Sequence, residues 1–142
     1  MELAEIKILV TEALDIDKRK IDQAAIDTPK LYGRLLNVRC EENLALKKLH
    51  LLYNSKEVEK RLYYTGKASP EVYSKKPLDT RILKTELKQV LENDVEMQEL
   101  ALKIGIQNEK IELINDALKG VLQRTFLIKS VIDYEKLMNG VL

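Results

Sequence analysis

The segment from Val95 to Met138 constrains the fold most, because it carries an apolar heptad repeat and no proline. One frame reads Met97, Leu100, Ile104, Gln107, Ile111, Ile114, Leu118, Val121, Thr125, Ile128, Ile132 and Glu135. Nine of those twelve are apolar, enough for a long helix with a coiled-coil-like seam notched by polar residues. A second stripe runs beside it: Leu102, Ile106, Leu113, Ala117, Leu127, Val131 and Met138. A helix apolar on two sides must bury both. Neighbouring helices can cover one side, which leaves the other for a second copy of the chain. The alternative is that both stripes are internal core. We expect self-association through Ile104, Ile111, Ile114, Leu118, Val121, Ile128 and Ile132. Gly105 and Gly120 mark points of close approach or a bend.

The remaining chain also reads as helix. Leu3, Ile6, Val10, Ala13 and Leu14 share one face of a short helix over residues 2–14. Ile16, Ile21 and Ile26 fit neither the helical nor the strand period, so residues 15–27 are expected to be irregular, with at most one helical turn near Asp22. The Lys18-Arg19-Lys20 run, set among aspartates, reads as a solvated loop. Thr28-Pro29 has the form of a helix start. The stripe Leu31, Leu35, Val38, Ala45, Leu49 and Leu52 then predicts a helix over 29–65, interrupted at Glu42 and stopped by Gly66. Residues 66–78, with Pro70 and Pro77, read as a linker. Asp79 is expected to cap a helix over 80–91, and Asp94 the long one. The expected class is all-α, in one domain of 142 residues: 1–27, then a binding region 28–92, then oligomerisation helices 93–142.

Net charge is only +1, so any anion binding must arise from local asymmetry. The asymmetry is present. Residues 53–84 hold eight of the 24 Lys and Arg against four acids, and four of the six tyrosines. With the basic segment 28–52 they form a basic middle between two acid-rich segments, 1–27 and 85–112. On a helix, Tyr53, Lys56, Lys60, Tyr64 and Lys67 share a face, with Arg61 about 100° round from Lys60. Cations for phosphates and rings for bases are what single-stranded nucleic acid requires. The same residues also suit a helix end packed by Tyr63 and Tyr64 and solubilised by lysines.

No catalytic constellation is legible. His50 is the only histidine, no Cys-x-x-Cys occurs, and Gly66-Lys67-Ala68 lacks the rest of a phosphate loop. We expect no enzyme, no metal and no cofactor. The single Cys40 cannot form an internal disulfide, which fits a reducing compartment. No signal-peptide pattern opens the sequence, and no apolar run approaches the ~20 residues a membrane span needs.

Several elements together resemble the UvsY family of recombination mediators from T-even-type bacteriophages. They are Ile16-Asp17, Ala24-Ala25, Leu31-Tyr32, Tyr63-Tyr64-Thr65-Gly66, Ile82-Leu83-Lys84-Thr85, Leu91, Asp94, Arg124-Thr125-Phe126-Leu127-Ile128-Lys129 and Gly140. The most specific are the tyrosine pair with its glycine and the Arg-x-Phe-x-Ile-Lys element. Residues 2–14 match least. The resemblance implies a non-enzymatic factor of the infected host's cytoplasm that binds single-stranded DNA and assembles into a ring. It also implies contacts with a UvsX-like recombinase and with the phage single-stranded-DNA-binding protein, and help in loading the recombinase onto DNA that this protein already coats. It places the DNA contact on basic residues before the tyrosine pair, here Lys60 and Arg61. A third family cation falls near Val58, which is not basic, and Lys56 is its nearest substitute. The expected nucleic-acid set is therefore Lys56, Lys60, Arg61, Tyr63, Tyr64 and Lys67. The competing readings are a coiled-coil adaptor or scaffold without a DNA role, and a small regulator of duplex DNA.

Overall fold

A computed structural model describes residues 1–80 and 82–140, and among these there is no strand. Helix α1 spans Leu3–Leu14, and a short 3-10 turn follows at Lys18–Lys20. Then come α2 (Ile21–Tyr64), α3 (Pro70–Lys75), α4 (Leu87–Glu92) and α5 (Val95–Met138). The chain packs as two compact units: Met1–Leu44 with the segment from Gln107 onward, and Ala45–Ile106.

The core of the first unit is a three-helix contact. Ile6, Leu9 and Ala13 of α1 meet Leu35 and Val38 of α2 and Ile114, Ala117, Leu118 and Val121 of α5. Burying each large apolar side chain contributes roughly 1.5–3 kcal/mol. Gly120 permits part of this packing: a Cβ there would lie 2.6 Å from Leu14 Cδ2. Gly105 has open space around it.

Part of the expected oligomerisation seam lies in this core. Ile114, Leu118, Val121 and Ile128 are buried within the single chain, and Ile104, Ile111 and Ile132 are half-buried. In the core cluster Ile114, Leu118 and Val121 pack against the chain's own α1 and α2. The second stripe is the more exposed one: Leu102, Ile106, Leu127 and Met138 lie open, as do Leu122 and Phe126 nearby.

The polar notches of the two long helices meet. Gln107 Nε2 donates to the Glu42 carboxylate at 2.5 Å and to the Glu42 carbonyl at 2.8 Å. Both side chains are buried, and the Lys110 ammonium lies 3.7 Å from the same carboxylate.

The start of α2 differs from the expectation. Residues 15–27 are not irregular throughout: the helix begins at Ile21 and carries Pro29 inside it. Thr28 does not cap; its hydroxyl donates to the Ala24 carbonyl at 2.8 Å, one turn back. Pro29 has no N–H, so the Ala25 carbonyl lacks its usual helical donor. Buried Arg124 reinforces this turn from α5. Its guanidinium donates to the Ala24 carbonyl at 3.3 Å and to Thr28 Oγ1 at 3.2 Å. It also donates to the carbonyls of Ala13 and Asp15 at the end of α1, where the helix dipole favours a cation. The Lys18-Arg19-Lys20 run forms the 3-10 turn, with Asp17 accepting from the Arg19 N–H at 3.0 Å.

In the second unit the expected linker 66–78 contains α3, with Pro70 at its first turn. The expected helix 80–91 shortens to α4. The Ile82 N–H donates to the Tyr64 carbonyl at 3.0 Å, so it closes the end of α2 instead of entering a helix. Arg81, within that expected helix, lies outside the described residues.

Candidate functional site

The basic, tyrosine-rich stretch folds around the end of α2. Gly66 takes φ 76°, the left-handed conformation glycine tolerates. The Lys67 N–H donates to the Leu62 carbonyl at 2.9 Å and the Gly66 N–H to Tyr63 at 3.2 Å. That pair of bonds is a Schellman termination. The turn delivers the chain to α3, where Tyr73 lies against Tyr63, with ring centroids 5.6 Å apart and planes 21° from parallel. The Tyr73 hydroxyl donates to the Tyr63 carbonyl at 2.7 Å, and the Tyr63 hydroxyl to the Pro77 carbonyl at 3.2 Å. Tyr64 meets Tyr63 edge-on at 5.1 Å. Both members of the tyrosine pair are half-buried.

Asp94 is the second centre of the site. One carboxylate oxygen accepts from the Met97 N–H at 3.1 Å, capping α5 as expected. The other accepts the Tyr64 hydroxyl at 2.6 Å and lies 3.2 Å from the Lys60 ammonium. Burial raises the Tyr64 hydroxyl, helped by the bond to Asp94, to a pKa of about 12. Burial disfavours the Asp94 carboxylate, yet the bonds from Tyr64, the Met97 N–H and Lys60 outweigh it and hold its pKa below 3.8.

Lys60 is only 6% exposed, and its ammonium also lies 3.4 Å from Glu96. In this arrangement it does not face solvent, unlike the open contact the sequence suggested. Glu96 gathers two further cations, Lys56 at 2.8 Å and Lys76 at 3.5 Å. The bond between Lys56 and Glu96 raises the lysine's pKa and lowers the carboxylate's. Lys56 is therefore held in a network, whereas Arg61 and Lys67 remain at the surface. Arg61 pairs within its helix with Glu57 at 3.0 Å, and its side chain is 56% exposed.

The stretch therefore brings Lys56, Lys60, Arg61, Tyr63 and Tyr64 onto one helix end, but divides them. Arg61 and Lys67 present charge; Lys56, Lys60 and the two tyrosines tie α2 to α3 and α5. Sequence reading missed Tyr73, Glu96 and the partnership of Asp94 with Lys60. The acids lie 20 to 40 residues from their partners, and only the fold pairs them. Cys40 and His50 are exposed, and among the described residues no cluster of three metal-ligating side chains occurs. No described helix is long and apolar enough to cross a membrane.

Comparison with known proteins agrees with this architecture. No curated protein matches the chain by sequence. Crystal structures of the bacteriophage T4 recombination mediator protein UvsY share the fold. One lattice form superposes with a TM-score of 0.81 at 19% identity, covering 97% of this chain and 99% of that one. Another gives 0.80 at 19% identity, covering 98% of each chain. The family described as "Recombination, repair and ssDNA binding protein UvsY" matches residues 10–141. With all but the first turns of α1 included in that match, the chain belongs to the UvsY family of recombination, repair and single-stranded-DNA-binding proteins.

Proposed function

We propose that this chain is a non-enzymatic recombination mediator that contacts single-stranded DNA at the end of α2. In this role it promotes loading of a recombinase onto DNA coated by single-stranded-DNA-binding protein. The observation that supports the contact is the exposure of Arg61 and Lys67 on either side of the Schellman turn. Cations so placed neutralise phosphates and release counterions. Lys56 and Lys60, whose charges are met by Asp94, Glu96 and Glu59, position the helix end. Tyr63 and Tyr64 serve as the packing that aims it, since both hydroxyls are engaged by the protein.

The working unit in this reading is an assembly, with a ring as the closed form. The apolar side chains that α5 leaves open, Leu122, Phe126, Leu127 and Met138, are the surfaces proposed to join copies. Repeating a weak site raises avidity through effective concentration without new contacts. The test is recombinase filament formation on oligonucleotide precoated with single-stranded-DNA-binding protein. Added mediator is expected to shorten the lag. An unchanged lag, with assembly intact and no DNA bound, favours an adaptor instead.

A further inference from the structure

A second cationic row faces α2 from α4. Tyr53, Glu57 and Arg61 recur every four residues on α2, and Lys84, Lys88 and Glu92 recur likewise along the turn into α4 and its length. The two rows line one cleft of about 380 Å³, floored by Leu87, Leu91 and Met97. Leu91 and Met97 are buried. Lys84 and Lys88 are exposed, and among the described residues neither lies in an ion pair. They contrast with Lys56 and Lys60, whose charges are met by Asp94, Glu96 and Glu59.

We propose that this cleft receives one base of the single strand, against Tyr53 and the apolar floor, with the flanking phosphates on Lys84, Lys88 and Arg61. This rests on the single-stranded-DNA reading above and extends its contact set to three residues outside the tyrosine-pair motif. The chemistry fits each part. A ring and an apolar floor accept the face of any base without reading its edge, so binding there is sequence-tolerant. Three cations at the rim outnumber the two acids, Glu57 and Glu92, and one of those acids already pairs with Arg61. The volume lies within the range of small-ligand clefts, ~300–1,000 Å³. An extended strand laid on Arg61 would in this way be held from both sides.

The test is fluorescence anisotropy of a labelled oligothymidylate, and of the same strand with abasic positions, over a range of salt. Lys84→Ala with Lys88→Ala is expected to flatten the salt slope by about 1.4, two contacts at ~0.7 each. Tyr53→Leu is expected to weaken oligothymidylate binding about tenfold while leaving the slope and the abasic strand's affinity unchanged. Circular dichroism confirms that each variant remains helical. Wild-type slope in the double lysine variant, with wild-type affinity in Tyr53→Leu, overturns the cleft while wild-type binding leaves the wider reading intact. Failure of the wild-type protein to bind at low salt overturns both.

Discussion

The Lys60 ammonium lies 3.2 Å from the Asp94 carboxylate, with both side chains nearly inaccessible. Removing one member of such a pair strands the other charge, at a cost of about 3–5 kcal/mol. The two members are not equivalent. Asp94 also accepts from Tyr64 and from the Met97 N–H, so Asp94→Ala breaks three bonds and uncaps α5. Lys60→Met leaves Asp94 with two donors and is expected to destabilise less. Urea unfolding of both variants and their double mutant checks the order and a non-additive coupling.

The same cluster predicts a pH response with a defined sign. Tyr64 is neutral in the fold with its pKa raised from 10.0 to about 12, so its contribution is fully present below pH 10 and is lost as pH rises through 12. Asp94 acts at the other end. Its depressed pKa gives stability above pH 3.8 that is lost as pH falls through the folded value. Tyr64→Phe should remove the alkaline loss, measured as denaturation midpoints across pH.

Glu42 and Gln107 form a separate buried polar contact. Gln107→Leu leaves a buried carboxylate without its closest donor, and is expected to destabilise by about 1–3 kcal/mol. Adding Glu42→Leu should recover most of that loss, because two apolar side chains can replace a buried polar pair. Chemical denaturation of the three variants decides it. A double variant no better than the single would show that the pair fixes the register of the two helices in a way leucine cannot.

Core and assembly positions on α5 should separate cleanly. Ile114→Asp with Leu118→Asp places charges in the three-helix core and is expected to unfold the protein. Phe126 is 72% exposed and Leu127 is also open, so Phe126→Asp with Leu127→Asp should keep the helical signal but reduce particle size in light scattering. An unchanged particle with intact helices counts against this face as the joint between copies.

Some of this was legible in the residues. The bounds of α5, its two apolar stripes and the Gly66 stop follow from local pattern alone, and the structure has them where the pattern put them. Period shows that a stripe must be covered but not by what: of the residues expected to meet neighbouring copies, Ile114, Leu118 and Val121 are covered by α1 and α2. Thr28-Pro29 misled because the support for an internal proline comes from Arg124, nearly a hundred residues away. For the site, the sequence identified the helix end and its cations. Which cations stay open depends on Asp94 and Glu96 folding back beneath them, and no local signal carries that.

The proposed contact is between single-stranded DNA and the open cations at the end of α2. Its most direct test is anisotropy of a labelled oligonucleotide titrated with wild-type protein and Arg61→Ala across salt. Tight binding at low salt is expected, with a slope about 0.7 shallower in the variant. No wild-type binding at low salt, or an Arg61→Ala slope equal to wild type, would contradict it.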